Sequence, residues 1–198
     1  QVMQQAVPLG QGAMAAILGL EDADLDAACR EAAQGEVVEP VNFNAPGQTV
    51  IAGNATAVAR AIDAAKARGA KRAVLLPVSV PSHSSLMRGA AERLAGKLAS
   101  VEVRLPDVAD VYTVDVRKHA SPDGIRQSLR EQLFKPVRWA DTVRAMLAGG
   151  ATTFVECGPG KVLTSLNRRI ERKPEFRMLA LEDPASIAAA LAACGENA

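Results

Sequence analysis

Aromatic side chains are scarce: Phe, Tyr and Trp make up 3% of the 198 residues, with a single Trp and a single Tyr. A core built on aromatic clusters is excluded. The 48% apolar share is mostly Ala, Val and Leu, so the interior has to pack through small aliphatic side chains on helices and strands. Cysteine is also rare. Cys29, Cys157 and Cys194 are odd in number and far apart, which fits neither a disulfide framework nor a zinc ribbon. They read as reduced thiols of a cytosolic protein, with Cys29 packed in a helical apolar stripe. No metal set and no cofactor is expected. A charge excess is lacking too, since the formal net charge is +1. That argues against broad binding to nucleic acid or an anionic membrane. No apolar run approaches the roughly 18 residues of a membrane span. The opening residues, Gln1-Val-Met-Gln-Gln5, have neither the basic nor the apolar region of a signal peptide. They lack an initiator Met, so the start reads as internal or processed.

What is present is a regular alternation of strand and helix patterns. Gly12–Gly19 reads as a buried strand. Glu21–Gln34 follows as a helix, with Leu25, Cys29, Ala32 and Ala33 on one face, acidic residues in the first turn and Gly35 as its stop. Val37–Phe43 and Thr49–Ala52 form a hairpin-like pair around Asn44-Ala-Pro-Gly47. Ala57–Arg68 is a second helix and Lys71–Val80 a fourth strand. The order β-α-β-β-α-β over about residues 12–79 is the split βαβ, ferredoxin-like arrangement. Beyond Pro81 come a helix through Met87, Ala90, Leu94 and Leu98, and a strand, or two short ones, over Val108–Val116. A helix capped by Ser121-Pro122 then runs on to Leu133, and another starts at Trp139. The strand Thr152–Val155, the helix Lys161–Ile170, a strand near Met178–Leu181 and a helix near Pro184–Ala193 read as part of a parallel α/β layer. The first region reads as an insertion packed against the second.

Only two histidines occur, and one of them, His83, stands in Val78-Ser-Val-Pro-Ser-His-Ser-Ser-Leu-Met87, where a strand pattern gives way to a helix pattern. As a cap or surface residue it would need no further explanation. As a general base it needs a nucleophile and a group orienting its other ring nitrogen. No acidic residue is close in sequence, and no Gly-x-Ser-x-Gly elbow occurs. Ser82, Ser84 and Ser85 read as helix-capping residues, and Ser165 lies inside a helix pattern. Glu156-Cys-Gly-Pro-Gly-Lys161 is either a tight structural turn or a phosphate cradle; it matches neither the P-loop nor the dinucleotide fingerprint. Arg168-Arg169 with Arg172-Lys173 either compensates a helix dipole or docks an acidic partner.

A set of motifs in order carries more information than any one of them. These are Met3-Gln4, Gly12-Ala-Met-Ala-Ala-Ile17, Pro40-Val-Asn-Phe-Asn-Ala-Pro-Gly-Gln48, Ile51-Ala-Gly53, Pro77-Val-Ser-Val-Pro-Ser-His83, Leu86-Met87, Gln132-Leu133, Pro136-Val137 with Trp139, and Gly158-Pro-Gly-Lys-Val-Leu-Thr164. Together they resemble the malonyl-CoA:acyl-carrier-protein transacylases of fatty-acid synthesis over essentially the whole chain. The resemblance implies an α/β-hydrolase-like large subdomain, here residues 1–11 and 80–198, with a ferredoxin-like small subdomain inserted at 12–79. It implies transfer of malonyl from coenzyme A to the phosphopantetheine thiol of acyl carrier protein through an acyl-serine.

On that resemblance His83 is the general base and the carbonyl of Gln132 its orienting group. Met3, Asn42, Asn44 and Val162 line the substrate site. The serine elbow, the oxyanion loop and the arginine selecting malonyl are expected upstream of Gln1, which would leave these residues inactive alone. Ser84 replaces a frequent Cys, and Tyr112-Thr113 replaces Asn-Asn, which puts contacts near the pocket in doubt. The carrier is acidic, so Lys71, Arg72, Arg168 and Arg169 are candidates for docking it. A monomer in the cytoplasm is expected. The alternatives are an acyltransferase domain of a polyketide synthase and a truncated, non-catalytic carrier-binding chain.

Overall fold

A computed structural model describes residues 3–78, 80–108 and 113–195. They form two compact units, Gln1–Trp139 and Ala140–Ala198.

In the first unit, β1 (Gly12–Leu18), α1 (Asp22–Ala33), β2 (Val38–Ala45), β3 (Gln48–Asn54), α2 (Ala55–Ala67) and β4 (Arg72–Leu75) follow one another. The sheet has the order β2-β3-β1-β4, with every neighbouring pair antiparallel. This is the β-α-β-β-α-β order with split strand pairs that the periodicity suggests. Alternation along the strands decides which face each residue serves. Ala13, Ala15 and Ile17 of β1 and Ile51 of β3 pack with Leu25, Ala28, Cys29 and Ala32 of α1 and with Val58, Ala61 and Ala65 of α2. Met14, Val41, Val50 and Ala52 form a separate cluster from the opposite parity. Alanines at the α1–α2 contact let the helices sit close. Burying each of Ile17, Leu25, Ile51 and Val58 contributes about 1.5–3 kcal/mol. Burial, with the charges of Asp26 and Glu39, pushes the Cys29 thiol up to about 12, so it is packed and not reactive.

Glycine is demanded at Gly53. Its register partner is Val38, and a Cβ there would lie 1.9 Å from the Val37 carbonyl oxygen. β4 stops at Leu75, short of the expected Val80. The Leu76 N–H still bonds to Met14 O at 2.8 Å, but Pro77 has no N–H to continue the ladder. The turn between β2 and β3 narrows to Pro46-Gly47, because β2 runs on to Ala45, which pairs with Gln48 after a bulge at Asn44.

The unit continues with a 3-10 turn at Ser85–Met87, then α3 (Arg88–Ala99) and α4 (Pro122–Glu131). Ser121 caps α4, its Oγ accepting the Gly124 N–H at 3.1 Å, and Pro122 stands in the first turn. Arg126 ties α4 to the end of α3 by donating to the Leu98 and Val101 carbonyls. Met87, Ala90, Ala91 and Phe134 form a third cluster, and Arg88 stacks over the Phe134 ring at 4.5 Å. Of the strand expected within Val108–Val116, residues 109–112 lie outside the described residues. Thr113–Val116 is a turn, with Val116 at a positive φ of 57° that does not fit a strand.

α5 (Trp139–Ala148) belongs to the second unit from Ala140 onward, followed by β5 (Thr153–Cys157), α6 (Val162–Ile170), β6 (Arg177–Leu181) and α7 (Pro184–Gly195). β5 and β6 pair in parallel, as an intervening helix requires. Among the described residues no helix is long and apolar enough to cross a membrane.

Candidate active site

His83 sits in a turn between two helix ends. Its N–H donates to Leu133 O at 3.0 Å, and its ring Nδ1 lies 2.6 Å from Gln132 O. Both carbonyls belong to the exit of α4, where helix geometry leaves oxygens without an intrahelical donor. A carbonyl oxygen only accepts, so the contact fixes the proton on Nδ1 and leaves the lone pair on Nε2. His83 has a φ of 66°, in the left-handed region that a non-glycine residue seldom occupies. The surrounding turn holds it there. Pro81 is fully buried, its carbonyl accepts from Ser84 Oγ at 2.7 Å, and the Ser82 N–H bonds to Val80 O at 2.8 Å. Burial pushes the imidazole below its ordinary value, outweighing the upward pull of the Gln132 carbonyl. The result is a half-buried, neutral ring with its basic nitrogen defined.

The other histidine is differently placed. His119 Nε2 lies 3.1 Å from Asp115 Oδ2, and its side chain is 7% exposed, so its ring is enclosed in the 113–124 segment. The serines beside His83 are committed elsewhere. Ser84 is fully buried with its hydroxyl on Pro81 O, while the Ser85 N–H donates to Glu39 Oε2 at 2.8 Å. Glu39, on β2, escaped the sequence reading, which sought an acid near His83 along the chain; the contact spans 46 residues.

β2 also carries Asn42 and Asn44, both half-buried. It binds the segment after α4. The Val137 N–H donates to Val41 O and the Phe43 N–H to Val137 O, each at 2.9 Å, and Asn42 pairs with Val137. Met3 is half-buried against the Met87, Ala90, Ala91 and Phe134 cluster, together with Leu133. The first unit therefore gathers Met3, Leu133 next to Gln132, and Val80 and Met87 on either side of His83 into one cluster, and Asn42 lies on β2, the strand that binds the segment after α4. Tyr112 lies outside the described residues, and Thr113 O accepts the Arg138 N–H at 3.0 Å.

Lys71 and Arg72 are exposed at the start of β4. In the second unit Val162 opens α6 and is 69% exposed. The turn before it is structural. Glu156 reaches over Gly158–Gly160 and accepts the Leu163 and Thr164 N–H groups at 3.1 and 2.7 Å. Burial pushes this carboxyl up, but the bonds from Thr164, Leu163 and Val162 prevail and hold it below the usual range. The helix N-terminus thus already has its anion, which argues against the phosphate cradle. Arg168 and Arg169 are exposed, and Arg168 donates to Met178 O at 3.0 Å. Arg168 also lines a cleft of about 390 Å³ with Glu171, Arg172, Lys173 and Arg177.

The acyl transferase domain family matches residues 1–181. The malonyl CoA-acyl carrier protein transacylase of Escherichia coli (strain K12) is 53% identical over 189 residues, which cover 96% of this chain and 60% of that protein. The namesake from Bacillus subtilis (strain 168) is 40% identical over 192 residues, again 96% and 60%. Among solved structures, an acyl carrier protein S-malonyltransferase from Vibrio cholerae superposes with a TM-score of 0.92 at 52% identity, covering 96% of this chain and 61% of that one. A malonyl-transacylase in complex with its type II polyketide synthase acyl-carrier protein superposes at 0.94 with 49% identity, covering 97% and 62%. The chain thus spans about 60% of the length of these relatives. By the extent of the family match and the agreement in fold, the chain belongs to the acyl transferase domain family.

Proposed function

We propose that this chain is part of a malonyl-CoA:acyl carrier protein transacylase, with His83 as its general base. The observation that carries the reading is the 2.6 Å contact between His83 Nδ1 and Gln132 O, which leaves Nε2 as the basic atom. A neutral carbonyl in this role adds no negative charge, so burial keeps the ring unprotonated near neutral pH, as a base requires.

In the forward half-reaction His83 Nε2 takes the proton of a serine hydroxyl. The serine oxygen bonds to the malonyl carbonyl carbon, the carbon–sulfur bond breaks, and the coenzyme A thiolate leaves with the proton from Nε2. In the second half Nε2 takes the proton of the carrier's phosphopantetheine thiol. The thiolate attacks the acyl-serine, and the serine oxygen departs with that proton. No serine neighbouring His83 suits this part, since Ser84 is buried and bonded to Pro81. We assign the serine, together with an arginine that would pair with the malonyl carboxylate, to residues outside these 198; the greater length of the relatives supports this. On the same reading Met3, Asn42, Asn44 and Val162 line the acyl site, and Lys71, Arg72, Arg168 and Arg169 meet the acidic carrier. Residues 12–79 are an insertion in a large subdomain to which 1–11 and 80–198 contribute.

The test uses intact mass before and after malonyl-CoA. The 198 residues alone should take up no malonyl group, whereas the longer protein should be acylated and should pass malonyl to a carrier. His83→Ala in the longer protein should lower transfer by about three orders of magnitude or more, as loss of a triad-type base does. Full activity in that variant would refute the role of His83.

A further inference from the structure

Glu39 has an unusual environment for a half-buried carboxylate. It makes no ion pair among the described residues; its Oε2 accepts the backbone N–H of Ser85 at 2.8 Å. Ser85 is the first residue of the 3-10 turn that follows His83, so its N–H is one of the donors a helix start leaves unpaired. A carboxylate is a strong acceptor for such a donor. Glu39 is itself fixed, because β2 pairs with β3 in register Glu39↔Ala52.

The same strand holds the other half of the site. Through Val41 and Phe43, β2 bonds on both sides of Val137, five residues after Gln132. The His83 turn and the Gln132 carbonyl are therefore moored to one rigid strand, the first by Glu39 and the second by backbone bonds. His83 needs such mooring. Its left-handed φ of 66° is costly for a non-glycine residue and persists only where neighbouring contacts impose it.

We propose that Glu39 is a positioning residue for His83: by accepting the Ser85 N–H it holds the 82–87 turn so that the imidazole keeps its Nδ1 proton on Gln132 O and presents Nε2 to the reacting hydroxyl or thiol. The proposal rests on the reading of His83 as the base. It assigns the effect to the acceptor oxygen of Glu39 and not to its charge.

The experiment compares Glu39→Ala, Glu39→Gln and His83→Ala in the longer protein, by steady-state malonyl transfer and by 15N NMR of the His83 ring. Glu39→Ala should lower kcat by about 10–100-fold with little change in KM for malonyl-CoA, since a displacement of about 1 Å is that costly. The ring signal should change from the single Nδ1–H form to a mixture of tautomers. Glu39→Gln keeps an acceptor oxygen and should recover most of kcat and the Nδ1–H signal. Wild-type kcat and an unchanged ring signal in Glu39→Ala, or Glu39→Gln as damaged as Glu39→Ala, would overturn the proposal. Should Glu39→Ala unfold, the Glu39→Gln result and its ring signal decide. If His83→Ala stays active, the base reading fails, and the tautomer signal still reports whether Glu39 holds the ring.

Discussion

At the scale of single residues, the decisive fact is that a carbonyl, and not a carboxylate, faces His83 Nδ1. A carboxylate would stabilise the imidazolium; a carbonyl leaves burial free to lower the pKa. The ring should therefore protonate below the ordinary imidazole value of about 6.5. Two consequences can be measured. The acid limb of kcat/KM for transfer should lie below pH 6.5 and vanish in His83→Ala. For stability, the unfolded chain binds the proton first, so the contribution of His83 is full above pH 6.5. It is lost as pH falls from there through the lower folded value. Urea unfolding of wild type and His83→Gln between pH 5 and 7.5 should show wild type losing stability relative to the variant as pH falls. A wild-type advantage that grows on acidification would contradict the sign. His83 stood out in the sequence by its rarity and its position between a strand and a helix pattern. Its ring partner did not, because Gln132 is 49 residues away and acts through a backbone atom that every residue possesses. Gln132 was named through the family resemblance alone.

At the scale of elements, the strands and helices of residues 12–75 were legible because each carries its own period. The parity of Ala13, Ala15 and Ile17 against Met14 assigns the two faces of β1 directly. Where the reading missed, a local stop signal was outweighed or overlooked. Pro77 ends β4 five residues early, although the apolar run continues toward Val80. Gly53 illustrates a constraint that composition hides. Its lack of a side chain is needed by the neighbouring strand and not by its own φ, because the Val37 carbonyl fills the space of a Cβ. Gly53→Ala should force β2 away from β3 and destabilise the protein by about 2–3 kcal/mol, as overpacking does. Equilibrium urea unfolding would show this as a lower midpoint. As β2 also carries Glu39 and Val41, the same variant should disturb the His83 ring signal. An unperturbed midpoint would mean that the strands can separate at little cost.

At the scale of the whole molecule, charge is nearly balanced, at a formal +1, so on the proposed function any attraction to an acidic carrier has to come from local groups. Arg72 and Arg169 are exposed, while Arg168 also supports β6 through Met178 O. Arg72→Glu with Arg169→Glu is the charge reversal that leaves the Arg168–Met178 contact in place. It should raise KM for the carrier by about tenfold at low salt, with the difference shrinking as salt screens it. Kinetics with malonyl-CoA should be unaffected. An equal loss with both substrates would instead point to a damaged fold.

By itself the sequence determined most of the helices and strands, which face those of residues 12–75 present to the core, and that one of two histidines lies where a strand pattern meets a helix pattern. These are local matters of period, capping and side-chain volume. Only the tertiary structure showed the Gln132 carbonyl oxygen at 2.6 Å from that histidine's ring, the Glu39 carboxylate on the Ser85 N–H, and the Glu156 turn capping its own helix in place of cradling a phosphate. Those contacts depend on distances between atoms far apart in the chain, or on how a turn folds back. Hydrogen bonds respond to tenths of an ångström that no residue pattern records.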